Sequence, residues 1–292
     1  MWLTRFGIRH EVLKQPSAPT LNMLPAALVL GTGLCLAFSI GAFLLRLASA
    51  DGAAALMAVT LGGYLGFGFA GLWYLAAIFV LSSAVTKFHY SSKKSVGSAE
   101  TQGGARNAWK IFGGAGLAGV VGWGMYLHLL PLAITGIVFS ASIATTNADT
   151  WASELGVLSR KPPHRILPPW DEVNRGDSGG ISPVGEAAAV VGAIAASLVA
   201  AALGLSIPPL LGGLACFGGA LAAEHFDSVL GASLQVLYRC PECGRISEKR
   251  WHHKGVRGVR TRGWFFLSNE GVNLVSSCFG AAIAFGLLAV LN

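Results

Sequence analysis

Long runs of apolar residues, separated by short polar loops, dominate the chain. The runs cover residues 24–45, 52–86, 111–148, 184–223 and 271–291. About 20 apolar residues are enough for a helix to cross a bilayer, so 111–148 and 184–223 each predict two helices. The many glycines within 52–86 predict one bent or broken helix. The pattern therefore predicts about seven spans.

The composition supports this membrane assignment. Charged residues make up 12% of the 292 residues and hydrophobic residues make up 53%. A soluble domain has about 25% charged residues, so a soluble protein with a large core is excluded. A membrane β-barrel is excluded because the apolar runs are continuous and do not alternate. We expect an all-α polytopic transmembrane bundle.

Basic residues are concentrated in four polar segments. Of the 21 lysines and arginines, all but Arg46 lie in residues 1–21, 87–110, 154–183 and 239–263. If 52–86 crosses once, these segments share one side and Arg46 lies opposite, as the positive-inside rule favours. We expect the N-terminus and all polar loops to face the cytosol or its equivalent. The net charge of +7 on that face would also suit an anionic substrate.

The domain organisation follows from the same pattern. Residues 1–21 are polar and residues 22–292 hold every apolar run, so we expect a polar tail and a single transmembrane domain. Its most basic segment, 239–263, is expected to be a loop that carries a knuckle with two cysteines.

The knuckle reads Cys240-Pro-Glu-Cys243-Gly, a turn that holds two thiolates toward one metal ion. His252 and His253 follow at a spacing suited to further zinc ligands. This is half of a zinc-ribbon pattern and predicts structural zinc. The alternative is a reduced pair without metal. A redox role fits least because no thioredoxin-like context surrounds the pair.

Four polar patches occur where apolar runs end. They cover residues 146–156, 174–182, 224–228 and 269–273. Carboxylates in membrane helices, such as Asp149 and Asp227, are costly and usually functional. The alternative for each patch is hydrogen bonding between helices, which membrane proteins use routinely. Because all four patches reach the same predicted face, we expect one site there.

The second patch contains a glycine-rich loop, Gly176-Asp-Ser-Gly-Gly180, before a helix predicted to begin near Val184. Backbone N–H groups and the helix dipole at such a position suit phosphate. The loop is not a Walker A sequence, since the chain has no Gly-Lys dipeptide. The alternative is an ordinary flexible turn.

These motifs resemble an integral-membrane family that contains plant phytyl-phosphate kinase and a poorly characterised vertebrate transmembrane protein. The resemblance covers about residues 52–291. It rests on Asp-Thr-Trp-Ala-Ser-Glu-Leu-Gly at 149–156, Gly-x-x-Gly-Gly-Ile-Ser at 176–182, Asp-Ser-x-Leu-Gly-Ala-x-x-Gln at 227–235 and Asn-x-x-Val-Asn-Leu-x-Ser-Ser at 269–277. The chain departs from the family at Asp177-Ser178, where the family typically has Thr-Asn, and at Glu270, where it usually has Asp.

The resemblance implies a kinase that converts an isoprenyl monophosphate to the diphosphate with a nucleoside triphosphate. Asp149 and Asp227 would hold Mg²⁺, with Glu154 and Glu224 as further candidates. Lys87 and Arg106 would neutralise the transferring group. The residues implied in phosphate or substrate binding are Gly176, Asp177, Ser178, Gly179, Gly180, Ser182, Ser228, Gln235, Asn269 and Asn273.

Two other function classes fit parts of the pattern. Broken helices with small and polar residues are typical of multi-pass transporters of anionic small molecules. A membrane scaffold that binds partners through its basic loops would leave the intramembrane carboxylates unexplained. The partners expected are an isoprenyl monophosphate, a nucleoside triphosphate and the lipid bilayer, and no nucleic acid.

Overall fold

The computed structural model describes residues 25–95, 101–252 and 255–291. The predicted tail at 1–21 and the candidate ligand His253 lie outside the described residues. The helices are α1 (Pro25–Leu44), α2 (Ala50–Lys87), α3 (Tyr90–Ser95), α4 (Ala108–Tyr126), α5 (Leu132–Gly156), α6 (Pro183–Ala202), α7 (Pro209–Ser233) and α8 (Asn269–Leu291), with a 3-10 turn at Thr101–Gly104.

Helix α2 is a hairpin of two antiparallel halves rather than one rod. Gly68 leaves the helical conformation with φ of +64°. A β-carbon at Gly71 would lie 2.2 Å from the carbonyl oxygen of Gly63. A continuous helix would separate residues eight apart by about 12 Å, so the chain reverses at Gly68. Each half, 50–67 and 69–87, is about 27–29 Å long, close to the thickness of a hydrocarbon core.

Both ends of α2 therefore lie at one end of the bundle. The Lys87 ammonium donates to the Leu45 carbonyl at 3.0 Å, across the hairpin ends. The Asp51 carboxylate accepts from the backbone N–H of Ala108 at 3.0 Å, at the start of α4. The prediction that this segment crosses once, with Arg46 at the opposite end from the polar loops, is wrong. Glycines at and around the turn allow the reversal.

Helix α1 begins at the other end of the bundle. The Tyr64 hydroxyl, one turn before the reversal of α2, donates to the carbonyl of Ala27. The first helix therefore runs toward the polar loops, contrary to the expectation that its start shares their end.

Helix α5 is central and contacts α2, α4, α6, α7 and α8. Its Thr146 hydroxyl donates to the Gly114 carbonyl of α4 at 2.6 Å. Asn147 donates to the Gly192 carbonyl of α6 at 2.7 Å and accepts from the Ser82 hydroxyl of α2 at 2.7 Å. These side chains of the first patch are thus engaged in helix packing. They hold α5 from three sides and fix the carboxylate two residues further along.

Small antiparallel sheets form at the polar end, in the two long loops. Strands β1 (His164–Arg165) and β2 (Gly180–Ile181) pair between α5 and α6. Between α7 and α8, the strand order is β4-β3-β7, with β5 and β6 as a separate pair. These strands are β3 (Leu237–Arg239), β4 (Ile246–Ser247), β5 (Trp251–His252), β6 (Val256–Arg257) and β7 (Val259–Arg262).

Four described helices, α1, α2, α6 and α8, are long and apolar enough to cross a membrane by length and composition. Helices α4, α5 and α7 pack between them, and α5 and α7 carry the carboxylates near their polar ends. The predicted all-α transmembrane bundle with a broken helix is confirmed, with short strands confined to the loops.

Candidate functional site

A cavity of about 1110 Å³ lies at the polar end of the bundle, between α5, α6, α7 and the two sheet-forming loops. The predicted site residues that line it are Asp149, Glu154, Gly176, Asp177, Ser178, Gly179, Gly180, Ser182, Glu224, Asp227, Ser228, Gln235 and Asn269. A second cavity of about 80 Å³ shares Asp149 and Glu154 and also contacts Arg106 and Asn273. The structure thus brings together residues that are far apart in the sequence.

The floor of the large cavity is acidic. Asp149 lies near the end of α5, and Glu224 and Asp227, three residues apart, share one face of α7. The Asp149 carboxylate is close enough to repel the carboxylates of both Asp227 and Glu224. With its amide nitrogen facing the acceptors, Asn273 donates to Asp227 at 3.3 Å. The floor is therefore suited to a cation that several oxygen atoms share.

The rim of the cavity is basic. Its cations are Arg165, Arg175, Arg245, Lys249 and Arg262. Arg262 donates through Nη2 to the Gly231 carbonyl at 2.7 Å. Burial lowers the pKa of the Arg262 guanidinium and Arg165 lowers it further, while Asp177 acts in the opposite direction. An anion between these cations would be stabilised, and phosphate is such an anion. The sequence predicted basic loops but not which cations face the cavity.

The glycine-rich loop is an ordered turn packed on α7. The Asp177 carboxylate accepts from the backbone N–H of Asn174 at 3.1 Å. The backbone carbonyl of Asp177 accepts from the backbone N–H of Gly180, also at 3.1 Å. Gly179 has φ of +79°, and a β-carbon there would lie 2.4 Å from the backbone nitrogen of Ala232. The side chain of Asp177 thus closes the turn, and Gly179 permits the approach to α7.

Ser182 connects this loop to two helices. Its hydroxyl accepts from the backbone N–H of Gly185 at 3.2 Å and so caps α6. The same hydroxyl donates to the Gly156 carbonyl at the end of α5, also at 3.2 Å. Ser182 lines the cavity, and its hydroxyl fixes the relative position of α5 and α6.

Glu154 forms a buried ion pair with Lys93, which sequence reasoning missed. The Lys93 ammonium lies 2.6 Å from the Glu154 carboxylate, and the two side chains are 1% and 10% exposed. Lys93 also donates to the carbonyls of Val85 and Thr86, at 2.8 and 3.1 Å. No signal in the run of polar residues at 90–95 distinguishes this lysine from Lys94.

The two predicted cations occupy different places. Arg106 lines the small cavity, lies with its guanidinium carbon 5.6 Å from the centre of the Phe79 ring, and interacts electrostatically with Asp149. Lys87 lines neither cavity, and its ammonium contacts the Leu45 carbonyl. Arg106 is therefore the one of the two that lies beside the acidic floor.

A further carboxylate, Glu248, reaches the cavity from the basic loop. The buried Gln235 donates to Glu248 at 3.2 Å and to Asn269 at 3.5 Å. Glu248 also interacts electrostatically with both Asp149 and Asp227. The segment after the cysteine knuckle thus lines the same cavity as the acidic floor. Sequence reasoning missed Glu248 because its position depends on the fold of the loop.

The knuckle itself forms the turn between β3 and β4. The backbone N–H groups of Cys243 and Glu242 lower the pKa of the Cys240 thiol, which favours the thiolate that binds metals. His252 lies in β5, and His253 lies outside the described residues. Zinc at this knuckle stays a prediction.

Comparison with known proteins defines the family. The model of the integral membrane protein family DUF92 matches residues 33–281. The chain belongs to this family. The membership expected from the motifs is thereby confirmed.

The chain is similar to proteins of Arabidopsis thaliana and Synechocystis. Protein PGR of Arabidopsis thaliana is 30% identical over 249 residues, which cover 77% of this chain and 83% of the relative. An uncharacterised membrane protein of Synechocystis is 29% identical over 76% of this chain and 75% of its own length. Protein VTE6, chloroplastic, of Arabidopsis thaliana is 26% identical over 81% of this chain and 64% of the relative. No solved structure matches the chain.

Proposed function

We propose that this DUF92 protein is a membrane-embedded kinase that transfers a phosphoryl group from a nucleoside triphosphate to an isoprenyl monophosphate. The observation that carries the proposal is the cavity with carboxylates on its floor and cations around its rim. Such a charge arrangement suits a cation and polyphosphate bound together. The resemblance of the motifs to the phytyl-phosphate kinase family supports the choice of acceptor.

The reaction needs positioning and charge neutralisation more than acid–base chemistry. An anionic oxygen of the isoprenyl phosphate would attack the γ-phosphorus, and the bond from that phosphorus to the β–γ bridging oxygen would break. The nucleoside diphosphate leaves with that electron pair, and no proton needs to be transferred. This agrees with a floor that offers carboxylates and lacks a dedicated base–nucleophile pair among the residues named above.

Asp149 and Asp227 would hold Mg²⁺ in this proposal. The oxygen donors fit, because Mg²⁺ prefers carboxylates and retained water, and the mutual repulsion of the two aspartates calls for a cation. When bound, Mg²⁺ supplies neutralisation of phosphate charge. Arg106 and the rim cations would orient and neutralise the phosphates. Glu154 has no role here, because Lys93 already neutralises it.

The lipid character of the acceptor is supported by the position of the floor. Asp149 and Asp227 lie on helices of a membrane bundle, so an isoprenyl chain can remain in the bilayer while its phosphate enters the cavity. Phe226, next to Asp227, stacks on Phe279 of α8 with ring centres 4.3 Å apart. This aromatic pair joins α7 to α8 at the level of Asp227.

The transporter alternative receives no support from the broken helix. Gly68 lies at the end of the bundle remote from the cavity, because both ends of α2 lie at the polar end. The break therefore does not bring unwound backbone to the candidate site, as broken helices do in transporters.

The proposal is tested with the full chain in detergent. γ-Labelled ATP, CTP, GTP and UTP are each supplied with phytyl or geranylgeranyl monophosphate, with the matching alcohols as acceptor controls. We expect label in the isoprenyl diphosphate, dependent on Mg²⁺, and none in the alcohols. The transporter would be favoured by two results together. Monodisperse protein would transfer no label to either monophosphate, and the protein in proteoliposomes would take up nucleotide or prenyl phosphate.

A further inference from the structure

Glu224, on the acidic floor, meets two side chains that the proposed kinase reaction does not use, Glu186 and His225. Glu186 comes from the first turn of α6, and Glu224 and His225 come from α7. His225 Nε2 lies 3.1 Å from Glu186 Oε2, and His225 Nδ1 lies 3.1 Å from Glu224 Oε2. One ligand atom from each side chain lies within 4.8 Å of the others.

The hydrogen bonding of His225 directs one nitrogen toward the cluster. Nδ1 lies 2.9 Å from the Leu221 carbonyl oxygen, which can only accept, so Nδ1 carries a proton. In the neutral ring, the lone pair of Nε2 then faces the Glu186 carboxylate. Metal-binding histidines typically donate their other ring N–H to a carbonyl in this way.

Glu224 gives an independent indication of a missing partner. The residue is 4% exposed, and its Oε2 atom has no hydrogen-bond partner among the described residues. Its 3.1 Å approach to His225 lacks hydrogen-bond geometry. A buried carboxylate oxygen without a donor is strongly destabilising. Glu186 and Asp149 lie nearby and add further negative charge.

We propose that Glu186, Glu224 and His225 bind a divalent transition-metal ion of the Mn²⁺ or Zn²⁺ class. One imidazole and two carboxylates favour such an ion over Mg²⁺, which seldom takes nitrogen ligands. Neighbouring ligands at about 2.1 Å from one metal are about 3 Å apart, as are Nε2 and Glu186 Oε2. The two positive charges of the ion offset the charges of both glutamates. A protonated His225 without the ion would offset only one of them. Glu186 and Glu224 both line the cavity, so the ion would lie at its edge.

The site is tested by binding of Mn²⁺, followed by electron paramagnetic resonance on the full chain in detergent. The Asp149→Asn Asp227→Asn background removes the two carboxylates proposed to hold Mg²⁺ in the kinase reaction, so the measurement does not depend on that proposal. One Mn²⁺ per chain should remain bound, with spectral coupling to an imidazole nitrogen.

In that background, His225→Gln and Glu186→Gln should each weaken Mn²⁺ binding at least about 10-fold, and His225→Gln should remove the nitrogen coupling. Both side chains are partly exposed, so the fold should persist, as a monodisperse elution profile would verify. His164→Gln, at an exposed histidine outside the cavities, is the matched control and should bind Mn²⁺ unchanged. Absence of bound Mn²⁺, or equal affinity in His225→Gln, would overturn the proposal.

Discussion

The buried pair of Lys93 and Glu154 provides a quantitative test of how the polar end is held together. The Lys93→Met substitution removes the ammonium and leaves the Glu154 carboxylate buried without a counter-charge. Breaking a buried pair on one side typically destabilises a protein by about 3–5 kcal/mol. The Thr86 carbonyl at the end of α2 also loses a donor, worth about 1 kcal/mol. We expect a total loss of about 4–6 kcal/mol.

The double substitution Lys93→Met Glu154→Leu separates the ion pair from packing. Replacing both partners by apolar groups is often nearly neutral, so we expect a loss of only about 1 kcal/mol and a coupling of at least about 2 kcal/mol. The assay is reversible unfolding in mixed detergent, followed by circular dichroism.

Lys94→Met is the matched control for this pair, because its side chain is exposed on the same short helix. It should change stability by less than about 0.5 kcal/mol. If Lys93→Met costs no more than this control, the pair does not stabilise the polar end and our reasoning about it is wrong.

Three further predictions concern the hairpin, the loop and the knuckle. We introduce cysteines at Arg46 and Arg257 in a background without other cysteines. A thiol reagent should label both from the same side of sealed vesicles, and labelling from opposite sides would contradict the α2 hairpin. Gly179→Ala should destabilise the protein by at least about 2 kcal/mol in the same unfolding assay, because the added carbon meets the backbone of α7 at positive φ. Cys240→Ser Cys243→Ser should lower the zinc content by about one equivalent in elemental analysis, and an unchanged content would refute the knuckle site.

Much of the candidate site could be predicted because membrane helices have simple rules. Apolar runs end at the bilayer surface, so polar residues at their ends, such as Asp149, Asp227 and Asn269, converge at one face. The glycine-rich loop was also recognisable, since its position before α6 follows from the hydrophobic pattern. These features depend on the positions of helix ends, which are encoded locally.

The remaining features depend on contacts between distant segments. The reversal at Gly68 depends on packing between halves of one apolar run, which hydropathy does not reveal. The burial of Lys93 depends on its contact with Glu154, 61 residues away. Glu248 reaches the cavity through the fold of a loop, and His225 meets Glu186 through the rotation of α7. Charge counting alone therefore placed Arg46 at the wrong end.

The most direct test of the central claim measures phosphoryl transfer by the Asp149→Asn and Asp227→Asn variants. Asparagine keeps the shape and removes the charge, so a loss reports on electrostatics rather than packing. Glu172→Gln is the control, because Glu172 is exposed and lines neither cavity. We expect both aspartate variants to lose Mg²⁺-dependent transfer to isoprenyl monophosphate by at least about 100-fold while remaining monodisperse, with the control unchanged. Near-normal turnover in Asp149→Asn would contradict the assignment of the acidic floor as the site of phosphoryl transfer.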